Sequence, residues 1–297
     1  MTFALRGIVP VLQTPFRADG AVDESSFHRL VVAAAREGAA GFLVPAVASE
    51  ASYLTDEERD LLIDAAVGSQ LPVIAGCSAD TAQVAEGHAR RARRLGAAAC
   101  LASVPDGLRA DPVRLTRFFQ AIADAAELPL VVQDLQFDGP GLSLDTIERL
   151  AAEVPGFAGL KIETVPAGPK YTAVRQRLGN VFLAGGWAVP QLIEALDRGV
   201  DAMIPEASMV SVYVRIAGLH GSGRRDDAIR EFRALLPVLA FANQELWTSI
   251  AFFKRLLVRR GIFRTGALRG PAFPWDEHNE RIAEELIGLY LEVEGSM

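Results

Sequence analysis

The chain has 297 residues, half of them hydrophobic, and a formal net charge of −7 at pH 7. An acidic chain of this kind lacks the basic face that nucleic-acid binding requires, so we expect no nucleic-acid partner. No apolar run approaches the roughly 18 residues of a membrane span, so we expect no membrane partner either. The N-terminal stretch over residues 1–16 is typical of a first strand and not of a signal peptide, which predicts a cytoplasmic protein.

Short apolar runs alternate with amphipathic helical stretches along the first two thirds of the chain. Near-continuous apolar strands separated by helices are typical of a parallel sheet covered on both faces. Eight such units predict an α/β protein with a (β/α)8 TIM barrel. The main rival is an open doubly wound sheet, but its glycine fingerprint GxGxxG is absent after the first strand. The eight predicted strands lie within residues 7–15, 41–47, 72–79, 98–104, 129–135, 159–164, 181–186 and 201–207.

The chain continues beyond the eighth predicted strand with the pattern of about four helices over residues 208–297. One of them completes a barrel of residues 1–222, and residues 223–297 form a predicted C-terminal helical extension. This extension would cover one mouth of the barrel or build an oligomer interface. Thr55 and Thr81 precede helical patterns and are predicted N-caps. Cys77 and Cys100 lie on separate predicted strands without a CxxC motif, which is typical of two buried thiols.

Polar residues gather at the predicted C-terminal ends of the strands, where the active site of a TIM barrel lies. Packing alone does not require polar groups at one end of otherwise apolar strands. The residues in question are Thr14, Ala48, Ser49, Glu50, Ser78, Ser103, Asp106, Gln133, Asp134, Lys161, Glu163, Gly185, Gly186 and Glu206.

Lys161 stands in the middle of the apolar stretch FAGLKIET, residues 157–164, in a chain that has only three lysines among its 30 basic residues. Burying an unpaired ammonium group is costly, so a buried lysine is commonly either neutral or paired with a carboxylate. A neutral lysine is a nucleophile that condenses with a ketone or aldehyde to give a Schiff base. The alternatives are a structural ion pair with Glu163 or Glu206, or a lysine that reaches solvent from the strand end.

Five segments occur in an order and spacing that resemble one known family. They are GIVPVLQTPFRADGAVD with its Thr14–Pro15 step, VASEASYLTDEER after strand 2, LPVIAG on strand 3, GLKIET on strand 6 and FLAGG on strand 7. These segments resemble the dihydrodipicolinate synthase / N-acetylneuraminate lyase family of class I, Schiff-base aldolases. Members of that family are (β/α)8 barrels with a C-terminal helical extension, and the resemblance covers nearly the whole chain.

The resemblance implies an aldolase-type lyase in which Lys161 forms an imine with a small 2-oxo acid such as pyruvate, without a cofactor or metal. The reaction would be aldol cleavage, aldol condensation or dehydration. Gln133 occupies the position of the family's strand-5 tyrosine and is the second implied catalytic position. The implied substrate-binding residues are Val47, Ala48, Gly185, Gly186 and Ile204. A homotetramer or homodimer is also implied.

This sequence departs from the family pattern in its proton-transfer and carboxylate-binding groups. Val47 and Ala48 replace a pair of threonines, so two hydroxyls are lost, although backbone N–H groups there can still hold a carboxylate. Gln133 can form hydrogen bonds but cannot act as a general acid or base at neutral pH. The strand-4 tyrosines are replaced around Pro105–Gly107, and no arginine follows strand 5.

Other titratable groups are therefore candidates for proton transfer. Asp134, Glu163 and Glu206 are the candidate acids or bases, with Asp106 beside them, because burial can tune a carboxylate for that role. The alternative for each is a carboxylate that caps a helix or pairs with an arginine. A helix predicted to begin near Ala188 would let the glycines before it receive an anionic group. The alternative there is close backbone packing.

Two other classes of function remain open at the level of sequence. The first is a metal-dependent barrel lyase in which Asp134, Glu163 and Glu206 gather around Mg²⁺. The four histidines fall away from the strand ends and show no zinc-type spacing. The second is a degenerate paralogue that binds a ligand without catalysis.

Overall fold

The computed structural model describes residues 3–187, 189–271 and 275–295. Eight parallel strands form one sheet: β1 (Gly7–Ile8), β2 (Phe42–Val44), β3 (Val73–Gly76), β4 (Ala99–Ser103), β5 (Leu130–Leu135), β6 (Phe157–Glu163), β7 (Phe182–Gly185) and β8 (Ala202–Met203). Their order in the sheet is β1-β8-β7-β6-β5-β4-β3-β2. Each strand after β1 therefore lies beside its neighbour in sequence, as in a TIM barrel.

Helices follow the strands. They are α1 (Glu24–Arg36), α2 (Asp56–Val67), α3 (Ala82–Arg94), α4 (Pro112–Ala126), α5 (Leu144–Glu153), α6 (Gly168–Leu178), α7 (Leu192–Asp197), α8 (Val210–Gly221), α9 (Arg225–Ala242), α10 (Leu246–Arg259) and α11 (Glu277–Gly295). Short 3₁₀ helices span Val47–Ser49, Ala51–Tyr53 and Asp106–Leu108. None of the helices in the described ranges is long and apolar enough to cross a membrane.

Contacts between the first and second strand regions close the sheet into a barrel. Val11 forms an isolated bridge with Leu43 and another with Glu206. The N–H of Leu12 donates to the carbonyl of Leu43 at 3.1 Å, and the N–H of Ala40 donates to the carbonyl of Ile8 at 2.8 Å. The predicted (β/α)8 barrel is confirmed, and the open sheet considered as its rival is not formed.

Prolines make the first and last strands shorter than their apolar runs predict. The first run covers residues 7–15, but β1 ends at Ile8 because Pro10 has no N–H to donate to a ladder. Pro205 follows β8 closely in the same way. The two prolines still accept hydrogen bonds: the carbonyl of Pro10 accepts from the N–H of Leu43 at 3.0 Å, and the carbonyl of Pro205 accepts from the N–H of Val11 at 2.7 Å.

The alternation of side chains along each strand divides the apolar residues into two cores. One set fills the barrel interior, and the other packs between the strands and the surrounding helices. The interior set includes Val9, Leu43, Ile74, Leu101, Val131, Ala158, Phe182 and Ile204.

The two predicted N-caps are confirmed, because the Thr55 side chain accepts from the N–H of Glu58 at 3.3 Å and the Thr81 side chain accepts from the N–H of Val84 at 3.4 Å. Both cysteines are buried free thiols, as expected.

In the described residues beyond the eighth strand the chain forms four helices, α8 to α11, and the predicted boundary at residue 222 falls between α8 and α9. A buried ion pair ties this region to the barrel: Lys254 on α10 donates to Glu50, and both side chains are fully buried. Glu50 also accepts from the backbone N–H groups of Arg269 at 2.8 Å and Gly270 at 2.9 Å. Burial lowers the pKa of Lys254 to about 8, against the opposing effect of the Glu50 carboxylate.

We expect Lys254→Met to lower the free energy of unfolding by about 3–5 kcal/mol, because it leaves the Glu50 carboxylate buried without its cation. Urea denaturation measures the loss. Arg281→Met is the matched control, since the Arg281–Glu285 pair on α11 is exposed and such pairs contribute at most about 1 kcal/mol. Equal small losses for the two variants would contradict the structural role of Lys254.

Candidate active site

Lys161 points into the barrel from β6, next to residues of β5. The register places Gln133 beside Lys161 and Leu135 beside Glu163. Because side chains alternate along a strand, these four residues share the face that lines the barrel interior. The side chain of Lys161 is 4% exposed and lines a pocket within the barrel, so its amine is largely shielded from solvent.

The carboxylate of Glu163 is the immediate partner of this lysine. Its Oε2 lies 3.1 Å from Nζ of Lys161 and also accepts from Nε2 of Gln133. Its Oε1 accepts from the backbone N–H of Trp187 at 2.7 Å. Both oxygens are held, so the carboxylate is fixed in a position from which it can take a proton from the ammonium group or return one.

Gly186 leaves the space that this pair occupies. A Cβ on Gly186 would lie 2.6 Å from Cε of Lys161 and would also collide with the Glu163 carboxylate. A Cβ on Gly185 would instead meet the hydroxyl of Tyr171 and the sulfur of Met203, away from the lysine. The two glycines thus have different neighbours.

Ala188, where a helix was predicted to begin, lies outside the described residues, and α7 begins at Leu192.

Glu206 lines the same pocket and is also buried. Its Oε2 accepts from Nε2 of Gln13 at 3.2 Å and from the N–H of Ser208. Its Oε1 is buried without a hydrogen-bond partner among the described residues. Burial raises the pKa of Glu206 to about 7, and hydrogen bonds from Ser208 and Gln13 oppose that rise. This carboxyl group can therefore gain and lose a proton near neutral pH.

Asp134, a candidate acid or base in the sequence, does not join the pocket. It follows Gln133 and so projects from the opposite face of β5, where it is fully buried. There it binds Lys170 and accepts from the N–H of Leu142 at 3.0 Å. Asp106 is exposed. Asp134, Glu163 and Glu206 therefore do not surround one Mg²⁺, and the described ranges contain no group of three or more potential metal ligands.

Val47 and Ala48 begin a 3₁₀ helix at the end of β2, and both line the pocket. No hydrogen-bond acceptor within the described part of the chain takes their backbone N–H groups, as is usual at the start of a helix. Two strand-end hydroxyls hold this segment in place. Thr14 donates to the carbonyl of Ser49 at 2.7 Å, and Ser49 donates to that of Leu12 at 2.7 Å.

Several pocket residues were not predicted from the sequence. Gln13, Trp187, Phe137 and Ser249 line the pocket together with the predicted Ile204. Trp187 carried a local signal, since it directly follows the two glycines at the end of β7. Ser249 lies on α10, more than eighty residues from Lys161 in sequence, and no local pattern connects the two.

The chain matches the sequence model of the dihydrodipicolinate synthetase family over residues 4–288. It is 30% identical to an L-2-keto-3-deoxyarabonate dehydratase of Azospirillum brasilense, over 96% of this chain and 93% of that protein. It is 36% identical to a 4-hydroxy-tetrahydrodipicolinate synthase of Stenotrophomonas maltophilia, over 96% of each chain.

Solved structures show the same fold. A dihydrodipicolinate synthase from Rhodopseudomonas palustris superimposes with a TM-score of 0.87 at 24% identity, covering 97% of this chain and 99% of that one. A sialic acid aldolase from Ruminococcus gnavus gives 0.88 at 18% identity, with coverage of 98% and 99%. With the barrel, the family match and the two relatives in agreement, this chain belongs to the dihydrodipicolinate synthetase family and is an aldolase-type lyase.

Proposed function

We propose that this lyase forms a Schiff base between Lys161 and a small 2-oxo acid such as pyruvate. The single observation that carries the proposal is the Lys161 amine beside the Glu163 carboxylate, 3.1 Å apart, at the base of a pocket at the barrel mouth. A protonated imine withdraws electrons from the adjacent carbon and so eases cleavage or formation of a carbon–carbon bond. The proposal covers aldol cleavage, aldol condensation and dehydration.

Glu163 supplies the proton transfers closest to the lysine in this proposal. It takes a proton from the ammonium group so that the free amine attacks the 2-oxo carbon. It then returns a proton to the hydroxyl that departs as water when the imine forms. Gln133, which replaces the family's tyrosine, donates a hydrogen bond to Glu163 and positions it without transferring a proton itself.

The carboxylate of the 2-oxo acid would bind at the start of the 3₁₀ helix after β2. The free N–H groups of Val47 and Ala48 are donors there, in place of the threonine hydroxyls that the family uses. Ser249 adds one hydroxyl from α10. Ile204 lines the pocket near the lysine, and the absent side chain of Gly186 leaves space for Lys161 and Glu163. Gly185 lies against Tyr171 and Met203 and is the weaker candidate for substrate contact.

Glu206 is the proposed second acid or base, because it lines the same pocket and its pKa lies near neutral pH. The name of one relative supports a 2-oxo acid as substrate class, because that relative is a dehydratase of a 2-keto acid. The other relative is a synthase. Those names denote different reactions, which is why the proposal covers more than one.

We also propose that the protein acts in the cytoplasm as a homotetramer or homodimer, as the family resemblance implies. Sedimentation equilibrium of the purified protein measures the mass of the assembly. A monomer at micromolar concentration would contradict this part of the proposal.

Incubation with pyruvate and borohydride should attach one reduced pyruvate unit to Lys161, located by peptide mapping. Lys170 and Lys254 are internal controls and should stay unmodified, because both are buried and neither lines the pocket that holds Lys161. Absence of an adduct on Lys161 with pyruvate and with a panel of 2-oxo acids would contradict the proposal. It would favour a ligand-binding protein that does not use an imine.

Glu163→Gln should lower kcat by about 10²–10⁴-fold, because the amide keeps the hydrogen bond from Trp187 but cannot accept a proton. Steady-state kinetics on the 2-oxo acid identified by trapping measures the loss. Glu285→Gln on the exposed face of α11 is the matched control and should retain full activity. A Glu163→Gln enzyme with kcat close to that of the parent would exclude Glu163 from proton transfer.

Glu206→Gln should change how stability depends on pH. The pKa of Glu206 is about 7 in the folded state, against 4.5 as its ordinary value, so the unfolded chain releases this proton at lower pH. Folding therefore loses stability as pH rises from about 4.5 to about 7, by an amount on the order of 3 kcal/mol. The variant lacks this loss.

Urea unfolding of both proteins at a series of pH values checks this expectation. The free energy of unfolding of the variant, relative to that of the parent, should rise as pH increases from about 4.5 to about 7. Above about pH 7 the difference should stay constant. Two curves that run parallel from acid to neutral pH would show that Glu206 ionises normally in the folded protein.

A further inference from the structure

The lysine pocket opens outward through a ring of apolar side chains. Ala46, Val47, Leu135, Phe137 and Leu246 line both the lysine pocket and a wider cleft outside it, and we call these five residues the apolar collar. A 2-oxo acid bound to Lys161 would lie inside the collar. A group that is bonded to its reacting carbon and extends into the cleft would pass these side chains.

An aromatic pair stands at the collar. The rings of Phe137 and Trp187 lie 4.2 Å apart between centroids, at 47° to each other. Phe137 is 45% exposed, so part of its ring is accessible at the pocket. Trp187 lines the pocket and its backbone N–H binds Glu163, so a ligand on this pair lies beside the reacting groups.

Few polar groups remain free to bind a hydroxylated fragment in the lysine pocket. Gln133 and Lys161 bind Glu163, and Gln13 binds Glu206. Ser249 contributes the one side-chain hydroxyl among the described lining residues. A polyhydroxylated chain would lose hydrogen bonds to water where it passes the apolar collar, and inside the lysine pocket it would regain few of them. An apolar ring loses none.

The cleft beyond the collar disfavours a negatively charged fragment. Its lining includes the carboxylates of Asp80, Asp106 and Asp138. Arg59 also lines it, but its side chain is largely buried and donates to the carbonyl of Ala51 at 2.7 Å. A neutral fragment avoids the repulsion that these three carboxylates would exert on an anion.

We propose that the second substrate, or the fragment released in the reverse direction, is a neutral aromatic aldehyde. This inference rests on the proposed Schiff-base function of Lys161. In condensation, C3 of the pyruvate imine loses a proton and forms a bond with the aldehyde carbon, whose oxygen gains a proton. Hydrolysis of the imine by water then releases a 4-aryl-4-hydroxy-2-oxo acid and the free lysine. Cleavage is the reverse, with no oxidant or reductant required.

The test compares benzaldehyde with D-glyceraldehyde as acceptors for pyruvate, with condensation product measured by chromatography and mass spectrometry. We expect kcat/KM for benzaldehyde to exceed that for glyceraldehyde by about tenfold or more. A tenfold ratio corresponds to a difference of about 1.4 kcal/mol in transition-state binding. A parallel borohydride reaction with pyruvate reports the imine alone.

The two arms separate the two hypotheses. An imine on Lys161 together with equal or better use of glyceraldehyde, or with no condensation of benzaldehyde, would overturn the aromatic specificity and leave the Schiff-base function intact. Failure to trap any imine would overturn the Schiff-base function and the specificity with it.

Variants locate the specificity at the collar. Phe137→Ser should raise KM for benzaldehyde about tenfold while imine trapping with pyruvate proceeds as in the parent, because the apolar Phe137 side chain takes no part in the contacts among Lys161, Glu163 and Gln133. Leu236→Ser on α9 is the matched control, since Leu236 is 42% exposed and lines neither cavity. An unchanged KM for benzaldehyde in Phe137→Ser would contradict the role of the aromatic pair.

Discussion

The interaction on which the site depends is the buried contact between the Lys161 amine and the Glu163 carboxylate. An ammonium group in a barrel interior needs a compensating charge, and Glu163 provides it two residues along the same strand. Gln133 and the Trp187 backbone then fix that carboxylate, and Gly186 leaves room for both side chains. The neighbouring strands and the turn after β7 are thus arranged around one charge pair.

All three lysines of the chain are buried and each contacts a carboxylate, but their surroundings differ. Lys170 binds Asp134 and the carbonyl of Pro140, and Lys254 binds Glu50 and the carbonyl of Ala267. These two join loops and helices to the barrel. Lys161 instead faces open space in the pocket. The same chemical pair therefore serves as a structural tie at two positions and lies beside a pocket at the third.

Much of this arrangement follows from periodicity. The eight apolar runs correspond to the eight strands, and Gln133, Lys161 and Glu163 lie at strand ends as expected. Asp134 shows the limit of that reasoning, because strand-end position alone does not say which face a side chain occupies. It lies one residue after Gln133, so the two-residue period of the strand turns it toward Lys170 and away from the pocket. Glu50 likewise reaches the C-terminal helices.

The sequence by itself determined the barrel and the family and singled out Lys161 as the candidate imine-forming residue, because each rests on local patterns of hydrophobicity and on short motifs. Tertiary structure alone decided which carboxylate contacts the lysine, which strand-end groups share the pocket and which C-terminal residues line it. Leu246 and Ser249 on α10 approach a lysine more than eighty residues away. The aromatic pair likewise joins turns after two different strands. Such contacts depend on chain closure and packing across the barrel, which no local pattern records.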